Sequence, residues 1–135
     1  RQRGHVIVSV VYAEAVSGGY ISTGMMADAC CALADAEIKV MNLPAMSRIT
    51  KIPLDHLQNL ARQSPVFSPG VENYWRMGHL DAVWEGDYAA QLAAAVANLQ
   101  TKSREEIAKD LRMERGVERG GRQAAGVVIE RVSGQ

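Results

Sequence analysis

The residues able to do chemistry are few and scattered. Ser17-Gly18-Gly19 follows a β-branched run and precedes a helical pattern. The first N–H groups of a helix have no intrahelical partner, so such a turn can cradle an anion. Many strand–helix turns share this composition, and a plain turn is the favoured reading. Arg112, Arg115, Arg119 and Arg122 recur at near-helical spacing. On one unbroken helix they would form a basic stripe able to grip phosphates. Gly116 and Gly120 interrupt that helix, and Glu114 and Glu118 lie between the arginines, so a solvated, salt-bridged segment is expected. Cys30 and Cys31 are adjacent. A reactive thiolate needs a cationic neighbour or a helix N-terminus. These two fall in the middle of a helical pattern and are expected to be small apolar residues packed on a sheet. Tyr74, Trp75 and Arg76 either line a ligand or partner surface or anchor their segment on the core.

Standard catalytic signatures are missing. There is no Gly-x-Ser-x-Gly elbow, no Walker-type phosphate loop and no His-Glu-x-x-His. His5, His56 and His79 lie in different segments, and no two have metal-ligand spacing. Asp28, Asp35, Glu37, Asp81, Glu85 and Asp87 include no evident acid–base pair, and Asp87 reads as a helix cap. The expectation is therefore no enzyme: no catalytic residue, no metal site and no cofactor.

The elements that position these residues follow from periodicity and punctuation. Val6 to Tyr12 reads as a buried strand. Ser22 or Thr23 can cap a helix from Gly24 to Ala36, with Met25, Ala29, Ala32 or Leu33, and Ala36 along one side. Glu37 to Met41 reads as a second strand. Residues 44–72 look like an inserted excursion within an otherwise compact pattern. Within it, Arg48 to Ile52 suits a short strand, Pro53 opens a helix with Leu54, Leu57, Leu60 and Ala61 on its apolar side, and Ser64 to Gly70 is loop. Leu80 to Trp84 reads as a strand, and Asp87 caps an alanine-rich helix from Tyr88 to Leu99. Ser103 and Glu106 form a capping box that opens a charged helix ending near Gly116. After a break at Gly120-Gly121, Ala125 to Val132 reads as the last strand. The sum is a single α/β (α+β) domain over residues 1–135. Its plan is a βαββαβ sheet with two alanine-rich helices on one face, an inserted excursion and an extra charged helix.

Composition limits what such a domain can be. Of 135 residues 47% are apolar but only 5% aromatic, so the core must be filled by Ala, Val, Leu, Ile and Met. Small side chains bury little area each, at about 25 cal/mol per Å², which argues for further burial at a subunit interface. Fifteen basic and fifteen acidic residues cancel, leaving no general electrostatic case for nucleic acid or a membrane surface. No apolar run is long enough to cross a bilayer. The basic stretch from Arg1 to His5 leads straight into the first strand and does not read as a signal peptide. Neighbouring cysteines seldom bridge each other, which favours a reducing cytoplasm.

Two stretches carry a family likeness. Gly18-Gly19-Tyr20 stands at the first turn, Ala27-Asp28-Ala29 in the helix expected after it, and Ala34-Asp35-Ala36-Glu37-Ile38 at that helix's end. Further on, Gly78 to Asp87 runs into Tyr88-Ala89-Ala90-Gln91-Leu92-Ala93-Ala94-Ala95. Together they resemble the bacterial microcompartment shell domain over about half the chain. The resemblance implies a structural shell-type protein, a hexamer-like cyclic homo-oligomer with a central pore, and other shell proteins as partners. Ala32 and Glu85 stand where that family carries a lysine and an arginine, and residues 44–77 replace its short pore loop. The resemblance then places Arg76, Met77 and Gly78 at a pore or ligand loop, and Asp28, Ala32, Glu85 and Asp87 at oligomer interfaces. Two other readings stay open. One is a small ligand-binding or regulatory domain whose 44–77 segment closes over a molecule near Gly18-Gly19. The other is a nucleic-acid accessory protein using the arginine segment, which the neutral charge disfavours.

Overall fold

The computed structural model describes residues 5–63, 69–122 and 125–134. The basic residues 1–4 and the core of the expected proline-containing loop, 64–68, lie outside the described residues. Strand β1 (Val8–Val11) pairs in parallel with β3 (Ala29–Leu33), and β3 pairs in parallel with β5 (Ala82–Trp84). A second, two-stranded ribbon joins β2 (Glu14–Val16) to β4 (Glu37–Lys39), also in parallel. Its register sets Glu14 opposite Glu37, and Lys39 Nζ offsets that repulsion by lying 3.0 Å from a carboxylate oxygen of each.

Parallel pairing requires crossovers. Between β2 and β3 the chain makes α1 (Ser17–Gly19), which continues without a break into a π-helical turn, Tyr20–Gly24. Between β4 and β5 it makes α2 (Leu43–Thr50), α3 (Leu54–Gln63) and α4 (Val71–Arg76). After β5 come α5 (Tyr88–Gln100), α6 (Arg104–Ala108), α7 (Arg112–Glu118) and α8 (Ala125–Ser133). The core gathers Tyr20, Cys30, Ala32, Ile38, Val71, Tyr74 and Leu80.

The class is α/β, as expected, but several elements differ from what periodicity predicts. The helix placed at 24–36 is instead strand β3 preceded by a turn, and the true helical segment lies earlier, at 17–24. The cause is burial on both sides: Ala29, Cys30, Cys31 and Ala32 are all buried. A central parallel strand of this kind shows no in–out alternation, and alanine and cysteine carry little strand preference of their own. Arg48 to Thr50 belong to α2, not to a strand. Asn42 caps that helix by accepting the Ala45 N–H at 2.8 Å, and Lys51 ends it at φ 61. Ala125 to Val132 is helical although rich in valine. The charged helix is split into α6 and α7. The Asp87 cap and the Ser103–Glu106 capping box are present. Strand order is therefore one three-stranded and one two-stranded parallel sheet, not a single sheet carrying two alanine-rich helices. Among the described residues no helix is long and apolar enough to cross a membrane.

Candidate functional site

The sharpest backbone feature is the junction of β2 and α1. Val16 is extended (φ −125°, ψ 137°), Ser17 sits at φ 55°, and Gly19 is already helical (φ −61°, ψ −45°). A serine in the left-handed region is costly, and such outliers cluster at functional sites. The chain thus passes from strand to helix across a single strained residue. Ser17, Gly18 and Gly19 are exposed, and a Cβ added at either glycine would meet nothing within 4 Å. Packing does not demand these glycines; they leave first-turn N–H groups open to approach. A groove of about 370 Å³ lies beside the turn, with Ser9, Tyr12, Glu14, Gly19 and Tyr20 among its walls.

Tyr20 holds this turn from beneath. It is only 5% exposed, and its ring meets Tyr74 edge-on at 5.5 Å and 83°. The Cys30 thiol donates to its hydroxyl oxygen at 3.8 Å. A Cβ on Gly24 would come within 2.9 Å of the ring, so only glycine lets the ring lie there. Burial pushes the Tyr20 phenol far above its usual range and keeps it neutral.

The arginines do other work. Asp81 Oδ2 accepts the Cys30 N–H at 2.8 Å, and its Oδ1 lies 2.8 Å from Arg115. Arg119 Nη1 donates to the carbonyls of Trp75 (2.9 Å) and Leu80 (2.8 Å), with its guanidinium 4.5 Å from the Trp75 ring centre. Arg122 Nε donates to Met77 O at 2.8 Å, and its Nη2 lies 3.1 Å from His79 Nε2. Arginine only donates, so Nε2 accepts and the proton of His79 sits on Nδ1. Burial first, then Arg122 and Arg112, holds the His79 pKa below its ordinary value. Among the described residues His79 Nδ1, though buried, has no hydrogen-bond partner. The expected solvated segment is thus a set of staples fastening the 75–81 stretch to α7. Arg112 pairs locally, but with Asp110, whose Oδ1 lies 2.7 Å from its Nε, and not with Glu114 or Glu118. A larger cavity of about 740 Å³ adjoins this region, walled in part by Cys31, His79, Asp81, Arg112 and Arg115. Two of its cations already face carboxylates, and no cluster of three or more His, Cys, Asp or Glu suited to a metal ion occurs among the described residues.

The candidates read from the sequence do not converge. Arg76 ends α4, and Met77 and Gly78 lie in the stretch stapled to α7. Asp28 accepts the Ile7 N–H at 2.7 Å, just before β3. Ala32 is fully buried in the middle of β3. Glu85 and Asp87 are exposed after β5, where Asp87 accepts the Ala90 N–H at 3.0 Å. Cys30 and Cys31 are unbridged and buried, on a strand instead of a helix, and burial pushes the Cys31 thiol up to about 12. Sequence reasoning names Tyr20, Asp81 and Arg119 but misses the contacts they make: Tyr20 with Tyr74, Asp81 with Cys30 and Arg115, and Arg119 with Trp75 and Leu80. Glycine four positions after Tyr20 is the available cue for a ring lying across the backbone.

Comparison with known proteins is decisive for the family. A family model described as malonate decarboxylase gamma subunit (MdcE) matches residues 1–135. Malonyl-S-ACP:biotin-protein carboxyltransferase MADD of Malonomonas rubra is 33% identical over 88 residues, covering 63% of this chain and 30% of that protein. A chain in the crystal structure of a Pseudomonas malonate decarboxylase hetero-tetramer with coenzyme A superposes with a TM-score of 0.66 at 22% identity, over 99% of this chain and 54% of its own. One in the Pseudomonas MdcD-MdcE hetero-dimer gives 0.64 at 20% identity, over 98% and 51%. The present chain thus spans about half of those structural neighbours and under a third of the curated relative. At these identities the structural likeness establishes the fold.

These findings overturn the shell-domain resemblance, and with it the shell-type function, the microcompartment, the hexamer and its pore. The likeness rested on alanine and glycine positions, and its first helix is strand β3. The expectation of no enzyme also falls, because the matching family is a subunit of one. The expected homo-oligomer gives way to neighbours solved as a hetero-dimer and a hetero-tetramer. With the model matching from the first residue to the last, the chain belongs to the malonate decarboxylase gamma subunit family.

Proposed function

We propose that the chain works within a hetero-oligomeric malonyl-thioester decarboxylase, and that its Ser17–Gly19 turn holds the thioester oxygen while carbon dioxide leaves. Malonyl-S-ACP, which appears in the name of the Malonomonas relative, is such a thioester. Breaking the bond between Cα and the free carboxylate releases carbon dioxide. The electron pair stays on Cα and spreads onto the thioester oxygen as an enolate. A proton taken up from solvent then adds to Cα, and the enolate collapses to the acetyl thioester. The cost of the step is the charge on that oxygen, and fixed N–H donors aimed at it lower the barrier. The observation that carries the reading is Ser17 at φ 55°, which starts α1 abruptly after β2 at an exposed turn whose Gly19 lines an open groove.

Other features support the wider assignment. The apolar Tyr88 (45% exposed) and Leu92 (42% exposed) on α5 suit burial against other subunits. The unbridged Cys30 and Cys31 suit a reducing cytoplasm.

The test is Gly19→Pro in the assembled complex. Gly19 has φ −61°, which a proline ring fits, and a first-turn N–H can be lost without breaking an intrahelical bond. Removing one donor of this kind costs roughly 100-fold or more in kcat. Assembly and circular dichroism should be unchanged while malonyl-S-ACP decarboxylation falls by that factor. An unchanged rate overturns the reading.

A further inference from the structure

We infer that Tyr74, on α4 in the connection between β4 and β5, is a positioning residue for the Ser17–Gly19 turn and acts through Tyr20. The inference rests on the role proposed for that turn. None of the three residues of α1 is buried, and added Cβ atoms at Gly18 and Gly19 touch nothing. The turn therefore has little packing of its own. Tyr20 follows immediately and is buried, so the turn takes its position from wherever the Tyr20 ring is held.

That ring is held on several sides. Beneath it lies Gly24, where a Cβ would reach 2.9 Å from Tyr20 Cδ2. At its hydroxyl lies the Cys30 thiol of β3, at 3.8 Å. Against its face or edge stands Tyr74, with ring centres 5.5 Å apart. The π-helical turn closes with Met25 N–H donating to Tyr20 O at 3.0 Å, an i to i+5 bond. Isolated π turns of this kind recur at functional sites.

Of these partners, Tyr74 alone comes from the connection between β4 and β5. It is itself fixed from outside α4. Gly70 N–H donates to Ile38 O at 2.8 Å at the helix start, and His79 N–H donates to Tyr74 O at 2.9 Å at its end. The His79 ring packs on Tyr74 at 5.7 Å. The β4–β5 connection thus supplies one wall of the socket that sets the turn.

Donors for a developing charge must hold their place closely, and a misplacement near 1 Å from a remote substitution can cost about 100-fold. The contact that matters here is a ring edge, so phenylalanine should replace tyrosine and an aliphatic residue should not. In the assembled complex, Tyr74→Leu should lower kcat for malonyl-S-ACP about 10-fold or more with KM within about twofold. It should speed amide hydrogen exchange over residues 17–24 and leave β3 unchanged. Tyr74→Phe should restore both. If Tyr74→Leu does not assemble, Tyr74→Met, which fills similar space without a ring, is read by the same criteria. Full activity and unaltered exchange in either aliphatic variant overturns the inference, as does equal loss in Tyr74→Phe. The two proposals fail separately. An active Gly19→Pro complex removes the role of the turn, whereas an inactive Gly19→Pro beside a fully active Tyr74→Leu removes only the role of Tyr74.

Discussion

Gly78 and Gly86 offer a matched pair of substitutions in which one physical term changes. Both have positive φ, 84° and 81°. Alanine at either site must enter the left-handed region, at about 1 kcal/mol. Their surroundings differ completely. At Gly86 a Cβ would meet nothing within 4 Å, whereas at Gly78 it would lie 2.1 Å from Arg112 O and 2.8 Å from Gly116 N. Those are backbone atoms of the α7 segment and cannot swing aside as a side chain would. The 76–81 stretch must then lift away from α7, at a further cost of about 1–3 kcal/mol for overpacking. Lifting also stretches the bonds from Arg119 to Leu80 O and from Arg122 to Met77 O, each 2.8 Å long. Gly86→Ala should therefore lose about 1 kcal/mol and Gly78→Ala about 2–4 kcal/mol. A gap of about 2 kcal/mol is roughly 30-fold in the unfolding equilibrium. Urea unfolding followed by tryptophan fluorescence reports it, since Trp75 stacks on Arg119 and Trp84 is buried in β5. The m-value must stay constant for the comparison to hold. Equal midpoints for the two variants would refute the close approach of Gly78 to α7.

Two further outcomes follow from the same region. Arg119→Lys keeps the charge but loses the planar fork that reaches two carbonyls while stacking on Trp75, and should cost about 1–3 kcal/mol in denaturant unfolding; Arg115→Lys, at an ion pair whose side chains are 27% and 29% exposed, should cost clearly less, and the reverse order would contradict the staple. The His79 pKa lies below its ordinary 6.5, chiefly through burial, so on acidification the unfolded chain takes up a proton that the folded chain refuses. Stability should be level near neutrality and fall as the pH drops from about 6.5 toward the depressed native value. Urea midpoints between neutral and mildly acid pH should show this decline, and His79→Gln should flatten that part of the profile.

What the sequence made legible was structure with local causes. The Asp87 cap with its alanine-rich helix, the Ser103–Glu106 capping box and the helix after Pro53 all depend on residues within one or two turns, and all are present. β3 was illegible because Ala29 to Ala32 owe their strand state to partners on both sides, Val8 to Val11 and Cys31 to Leu33 with Ala82 to Trp84. In α8 the valines suggested a strand, but among the described residues no adjoining strand accepts them. At the site, Ser17-Gly18-Gly19 reads in the sequence as a plain turn in preference to an anion cradle, and nothing in three small residues encodes φ 55° at Ser17. The arginine segment was expected to break at Gly116, yet Gly116 lies inside α7, and the partners of the arginines were not foreseen. The acceptors of Arg119 and Arg122 are carbonyls 39 to 45 residues earlier in the chain, which no local charge pattern reveals. The shell-domain likeness failed for a related reason: alanine and glycine record that chains pass closely, not which chains do.

A core poor in aromatic residues must find its rigidity elsewhere, and this fold shows where. Close backbone approaches at Gly78, Gly116 and Gly121 bring the 76–81 stretch and the α7 segment to within van der Waals contact. Arg119 and Arg122 then satisfy carbonyls that such an approach would otherwise strand away from water. The fastened stretch carries the end of α4, and Tyr74 of α4 meets Tyr20 under the strained turn. Two of the few aromatic side chains are thus placed where a backbone conformation has to be enforced, and small residues serve where chains only need to lie close. The apolar surface left over is consistent with this division. Val127, Val128, Ile129 and Val132 on α8 remain 42–70% exposed, area that the chain alone does not bury and that the proposed hetero-oligomer would have to.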